Sequence, residues 1–337
     1  MVDLSATGAA EGDALDTLVV GGGPGGLTAA LYLSRYRRTV RVLDRGDGRC
    51  AWIPRSHNLP GWPDGLPGPE LLDRLRRQAA RYGALLTAAE VAAVSRRDGL
   101  FLAWDAAGTV WSARTLVLAT GVEDMEPALP DLLDAVRRGL VRHCPICDGW
   151  EAGDSRIGVL GHGRHGALEA LFLRSFSADV TLILAGAPGE GGGGAGVDSL
   201  DADLRRDLAD AGIRVEGRGV GAVRVVGDRI AALTVGGPDG GGEVLSFDTL
   251  YSALGSRPRN DFARALGADL AGDGRVLVDN HARTAIPGLY AIGDLTPGLN
   301  QIACAEADGA RAATHIHNSL HRWGVAGDLT EGQIGMR

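Results

Sequence analysis

The segment DTLVVGGGPGGLTAALYLSRYRRTVRVLDRG, residues 16–46, constrains the fold more than any other part of the chain. A short apolar run, TLVV, leads into a glycine turn. A helical stretch follows, with Leu27, Ala30, Leu31 and Leu33 on one side, and VRVLD is a second apolar run. The order is strand, turn, helix, strand. Gly21, Gly23 and Gly26 give the turn the spacing GxGxxG, with Pro24 among them. The first glycine allows the tight turn and the second lets a pyrophosphate approach the backbone. The third lets helix and strand pack closely. The helix start offers free N–H groups and a positive dipole end to phosphates. Asp44 closes the second strand, where an acid binds ribose hydroxyls. With 52 glycines in the chain a bare GxGxxG means little, so the flanking strand, helix and Asp44 carry the assignment.

The pattern returns at DSRIGVLGHGRHGALEALFLRSFSADVTLILAG, residues 154–186. Two such units in 337 residues predict an α/β protein with two nucleotide-binding-type domains and parallel sheets covered by helices. Between them lie a helix around PELLDRLRRQAARYG, a hairpin region through AAVSRRDGLFLAWDAAGTVWSA and a strand RTLVLATG. GAPGEGGGGAG, residues 186–196, reads as a flexible loop. After VGGPDGGGEVLSFDTLYSALGS come a further strand, then RVLVD, then LYAIGD. The last helix is expected over ACAEADGARAATHIHNSLHRW, followed by a loose tail.

Composition excludes several chemistries. All 34 basic residues are arginine, so a Schiff-base, phosphate-loop or general-base lysine is impossible. A net charge of −8 gives no electrostatic reason to expect nucleic acid or an anionic membrane as partner. The N-terminal stretch is acidic and lacks the pattern of a signal peptide. No apolar run approaches the roughly 20 residues that span a bilayer. Four cysteines are too few for a secreted disulfide scaffold, and the cytoplasm is the expected location.

In VRHCPICDGWEAG, residues 141–153, Cys144 and Cys147 have two residues between them. Zinc needs three or four ligands, and only His143 stands near, with Cys50 and Cys304 isolated, so no metal site is assigned. A redox pair fits better. CxxC spacing lets two sulfurs meet over one helical turn, and a Cys144 that opens the helix gains from its dipole. Pro145 suits the first turn, where its missing N–H costs nothing. Asp148 is placed to pass a proton to a departing thiol, provided burial raises its pKa.

The glycine motif does not choose between FAD and NAD. GGGPGG, then LATG at 118–121, then GLYAIGD at 288–294, with CPICDG between, resemble in that order the low-molecular-weight thioredoxin reductases, over about residues 14–322. The resemblance implies FAD, and two Rossmann-like, three-layer domains with the second inserted in the first. The FAD domain then spans 1–123 and 246–337, and the NAD(P)-type domain with the CxxC spans 124–245. It also implies that Asp294, after Gly293, holds the ribityl chain. Gln301, Ile302 and Ala303 match the family's Arg-Gln-Ala at the flavin's pyrimidine edge, and Asn58 matches a loop beside the flavin. Val91, Thr120 and Gly121 complete the cofactor-binding set. Cys147 is then the sulfur against the flavin, Cys144 the one that attacks a thioredoxin-like protein disulfide, and Asp148 the acid–base group. The family also implies a homodimer.

The second glycine motif, Gly161 to Gly166, departs from that pattern. Its strand ends VTLILAGAPGEGGGG, without the arginines that grip a 2′-phosphate or an acid for an NAD ribose. Three readings follow: NADPH held with help from Arg164 or Arg174, weak NADH binding, or no NAD(P)H at all. The third is preferred, because it resembles a branch of thioredoxin-reductase-like flavoenzymes independent of pyridine nucleotides; that resemblance implies a ferredoxin or another flavoprotein as donor, and Trp323 and the tail able to cover the flavin. Two further functions stay open. One is a dithiol oxidase that forms a disulfide in a small molecule with oxygen as acceptor, against which Asp148 argues because that branch often carries histidine there. The other is a non-catalytic flavin redox sensor.

Overall fold

The computed structural model describes residues 14–320 apart from 128, 130, 186–195, 219–222 and 236–242. Its first sheet begins with β1 (Leu15–Val20), α1 (Pro24–Arg35), β2 (Val40–Asp44), α2 (Gly68–Arg81) and β3 (Leu85–Ala88). These strands run parallel, as strand–helix–strand units require. An antiparallel meander follows: β4 (Val91–Arg97), β5 (Leu100–Asp105) and β6 (Val110–Leu118). Asp98 and Gly99 turn β4 into β5 with both φ angles positive, the demand of a tight hairpin. β6 lies parallel to β1 and is buried along nearly its whole length.

The chain leaves this sheet through β7 (Val122–Asp124). The second unit holds α3 (Leu132–Arg137), β8 (Val141–Arg142), α4 (Pro145–Asp148), β9 (Ile157–Gly161), α5 (Gly163–Leu173) and β10 (Val180–Leu184). It continues with α6 (Ala202–Asp210), β11 (Arg214–Glu216), β12 (Val225–Val226), β13 (Arg229–Val235), β14 (Glu243–Phe247) and β15 (Thr249–Ala253). Its main sheet has the order β11-β10-β9-β15-β8 and is parallel throughout. Strands β12, β13 and β14 form a separate antiparallel sheet. The chain returns through β16 (Ser256–Pro258), which pairs antiparallel with β7. It then adds α7 (Asp261–Ala265), β17 (Leu289–Ala291) beside β6, and α8 (Ile302–Leu320).

Two expectations change. The return to the first unit comes after Ala253 rather than at residue 246. β15 is buried at all five positions and sits between β9 and β8, so it belongs to the second sheet. RVLVD, residues 275–279, joins no sheet. Its Val276 N–H goes to the Leu295 carbonyl and its Leu277 N–H to the Asp269 carbonyl, while β17 holds the place beside β6. Most of the glycine-rich loop, Trp323 and the tail lie outside the described residues.

Helix α8 packs on α1 across small residues. Ala29, Ala30, Leu33, Ala312, Ala313 and Ile316 share one buried core with Val19 of β1 and Val117 of β6. A Cβ on Gly309 would meet the Gly25 carbonyl and lie 3.0 Å from the Ala29 nitrogen. The two backbones are therefore too close for a side chain. Gly309→Val is expected to destabilise the protein by about 1–3 kcal/mol, read as a lowered denaturant midpoint. An unchanged midpoint would contradict this packing.

Candidate active site

In parallel sheets the C-terminal strand ends form the ligand edge. β1 leads into Gly21, β2 ends at Asp44, β6 leads into Thr120 and Gly121, and β17 into Gly293 and Asp294, so one edge collects these residues. Gly21 has φ +109°, and a Cβ on Gly26 would fall on the Gly21 carbonyl, so this turn needs glycine at both places. A Cβ added to Gly23 meets nothing within 4 Å, which leaves open space over the start of α1. No side chain caps that helix start. The donor set and the open cradle fit a dinucleotide pyrophosphate.

The other members of the set have their own partners. The Arg76 guanidinium donates to Asp44 at 3.1 Å. Val91 opens β4 and packs on the core of Leu18, Val20 and Leu43. The Ala89 N–H just before it donates to the Asp44 carbonyl. Thr120 donates to the Arg259 carbonyl at 2.7 Å, and Gly121 has φ +65°. Burial raises the pKa of Asp294, while Arg49, 3.3 Å away, pulls the other way. Arg49 also pairs with Asp124 of β7 at 2.7 Å, so one guanidinium joins the linking strand to this edge.

Cys144 and Cys147 form a disulfide. Cys144 is the N-cap of α4, and its sulfur accepts from the Cys147 N–H at 3.1 Å. Pro145 takes the first helical position, as its lost N–H requires. Gln301, just before α8, points its Nε2 at both sulfurs at 3.5 Å. Asn58 donates to Gln301 Oε1 at 2.8 Å and to the Ile146 carbonyl of α4 at 3.3 Å. Ser56 in turn donates to Asn58 Oδ1 at 3.1 Å. This chain of hydrogen bonds brings the disulfide of the second unit to the strand-end edge of the first. Ile302 is half-buried against the core beneath the turn at Asn58, and Ala303 faces outward.

Asp148 is held by two residues the sequence did not mark. Arg142 Nη1 lies 2.8 Å from its Oδ2, and the Tyr251 hydroxyl donates to Oδ1 at 2.8 Å. Burial raises its pKa, and Arg142 and Tyr251 oppose that rise. Tyr251 carried one signal, since a tyrosine inside the apolar run TLYSA needs a partner for its hydroxyl. His143 bonds Glu126 at 2.8 Å.

At the second glycine turn the residues are otherwise engaged. His162 Nδ1 lies 3.3 Å from the Ala185 carbonyl, and His165 pairs with Glu169, which raises its pKa. Arg164 is exposed near the turn. Arg174 is not available there. It follows the far end of α5 and donates to the carbonyls of Ala211 and Ser177. Among the described residues no group of three or more His, Cys, Asp and Glu could hold a metal ion. Nor is any described helix long and apolar enough to cross a membrane.

Cys50 is free and buried, and burial, with Glu306 adding to it, pushes its thiol up to about 12. At pH 8 roughly one part in ten thousand would be thiolate. Iodoacetamide followed by mass spectrometry is expected to leave Cys50 unmodified in the native protein and to label it after denaturation. Cys144 and Cys147 should label after mild reduction alone. Fast native labelling of Cys50 would contradict its placement.

A model of the family described as "Pyridine nucleotide-disulphide oxidoreductase" matches residues 15–309. The chain is 30% identical over 339 residues to the bifunctional thioredoxin reductase/thioredoxin of Mycobacterium leprae, covering 94% of this chain and 68% of that protein. It is 30% identical over 317 residues to the thioredoxin reductase of Streptomyces clavuligerus, covering 91% and 94%. The thioredoxin reductase from Streptococcus pyogenes superposes with a TM-score of 0.80 at 25% identity, covering 91% and 98%.

Proposed function

The chain belongs to the pyridine nucleotide-disulphide oxidoreductase family as a thioredoxin-reductase-like disulfide oxidoreductase, and we propose that it binds FAD and reduces a thioredoxin-like protein disulfide through Cys144 and Cys147. The observation that carries the proposal is Gln301. It stands at the edge suited to the cofactor and lies 3.5 Å from both sulfurs, so the cofactor edge and the redox pair share one contact.

FAD, when bound, supplies the electron pair that opens the disulfide. The glycine turn from Gly21 to Gly26 with Pro24 would hold the pyrophosphate, and Asp44 the adenosine ribose. Asp294, with Gly293, would hold the ribityl chain. Val91, Thr120, Gly121, Asn58, Gln301, Ile302 and Ala303 would complete the site. The protein's own part is thiol chemistry. The Cys144 thiolate attacks one sulfur of the substrate disulfide, that bond breaks, and the departing sulfur takes the proton of Asp148. Cys147 then attacks the Cys144 sulfur, which re-forms the internal disulfide and releases the second substrate sulfur. A Cys144 at the N-cap suits the attack because the helix start favours its thiolate.

The proposed donor is a ferredoxin or another flavoprotein rather than NADPH. Supporting this, β10 runs out in the apolar Leu184 and Ala185, and Arg174 is held at the other end of α5. A cytoplasmic homodimer is the proposed state.

Anaerobic titration of the FAD-loaded protein tests the reading. A dithiol such as dithiothreitol is expected to bleach the flavin absorbance, whereas NADPH and NADH should leave it within the time of mixing. The Cys144→Ser and Cys147→Ser variants should lose disulfide reduction and keep FAD. Fast bleaching by either nucleotide would overturn the donor, and failure to bind FAD would overturn the whole reading. Oxygen uptake with a small dithiol, without protein disulfide reduction, would mark a dithiol oxidase instead.

A further inference from the structure

Asp148 is the group whose surroundings exceed what the sequence explains. β8 is only two residues long, at the edge of the second sheet, and leads directly into the redox helix. In the β15–β8 pairing, Tyr251 stands in register with Arg142. The two side chains converge on one carboxyl group: Arg142 takes Oδ2 and Tyr251 takes Oδ1, each at 2.8 Å. The Tyr251 hydroxyl also lies 3.2 Å from the Asp148 backbone carbonyl. Tyr251 is fully buried, and Arg142 Nε is buried without a partner. Among the described residues Asp148 is the acid with which this guanidinium pairs.

We propose that Arg142 and Tyr251 are positioning residues that clamp Asp148 and make it a reversible proton donor to the thiolates of the Cys144–Cys147 pair. The proposal rests on the reading of Asp148 as the proton donor. Burial alone would make this carboxyl keep its proton, because the charged form loses water. A clamp of one cation and one hydroxyl stabilises the carboxylate that remains once the proton has gone. Release therefore leaves a satisfied ion pair, and the next proton enters against a modest opposition. Breaking the clamp leaves a half-buried arginine unpaired or a carboxyl short of a donor.

The other groups around the site are few. Glu151, one turn on, raises the Asp148 pKa, and His57 of the first unit lies 4.0 Å from Glu151. His143 on the chain beside Arg142 is taken by Glu126. The contact after α5 is the ring of Phe176 against Gly149, which carries no charge. The cysteines themselves titrate when reduced. Arg142 and Tyr251 are thus the groups that bond the carboxyl directly.

The test is the opening of the Cys144–Cys147 disulfide by dithiothreitol, followed by thiol trapping across pH in the full-length FAD-loaded protein. One reagent thiolate attacks a protein sulfur, the S–S bond breaks, and the departing cysteine sulfur takes the Asp148 proton. The second reagent thiol then releases the other cysteine and closes the reagent into its cyclic disulfide. After correction for reagent thiolate, the rate should fall as pH rises through the Asp148 titration, because the protonated carboxyl is the donor. Asp148→Asn should abolish that inflection. Tyr251→Phe, which keeps the buried ring, should move it up by about one pH unit, since the carboxylate loses a donor. Arg142→Gln should move it further the same way. If Asp148→Asn leaves the profile intact, the proton-donor reading fails. If Asp148→Asn abolishes the inflection but Tyr251→Phe leaves it in place, the clamp is wrong and the donor stands. A Tyr251→Phe protein that is slower by one factor at every pH overturns the clamp as well, since that is the mark of a packing role.

Discussion

One contact joins the disulfide to the other half of the molecule, and the proposed chemistry depends on it. Electron pairs pass between a ring and a sulfur pair only at van der Waals range, so the disulfide must reach the cofactor edge of the other unit. Gln301 makes that meeting at 3.5 Å from each sulfur, and Asn58 locks it by bonding both Gln301 and the Ile146 carbonyl. Each bond is modest by itself. Together they fix α4 against a loop and a helix start that come from distant parts of the chain.

Charge is arranged around that contact in two opposed pairs. Asp294 and Asp148 are both half-buried acids with raised pKa values, and each faces an arginine that works against the rise. Arg49 ties Asp294 to Asp124 on the linking strand, and Arg142 ties Asp148 to the edge of the second sheet. Ion pairs of this kind add little net stability. At Asp148 the value lies in orientation, because a carboxyl bonded at both oxygens has little freedom to turn.

Local patterns were legible in the sequence, and contacts between distant residues were not. The turn from Gly21 to Gly26, the strand VRVLD and the CxxC each write their chemistry into a few adjacent residues. Asn58 and Gln301 came through family resemblance alone, since 243 residues separate these bonded partners. Arg142 and Tyr251 escaped notice because only the pairing of β8 with β15 puts them side by side. RVLVD stood in the sequence as one more apolar run beside LYAIGD, yet Val276 and Leu277 give their N–H groups to the Leu295 and Asp269 carbonyls outside any sheet. The boundary at 246 misplaced DTLYSA for a similar reason, because burial on both faces suits either sheet and pairing alone decides. Arg174 looked free in the sequence and is tied to Ala211 and Ser177 by the way α5 ends.

The proposed contact of a cysteine sulfur with the flavin is read most directly from the long-wavelength absorbance of the FAD-loaded Cys144→Ser variant as pH is raised. With Cys144 gone, the Cys147 thiolate should donate charge to the flavin and produce a broad band beyond the flavin's own absorption. Adding Cys147→Ser should remove that band. A variant that binds FAD and gains no such band at any pH, while Cys147 is demonstrably thiolate, would contradict the account.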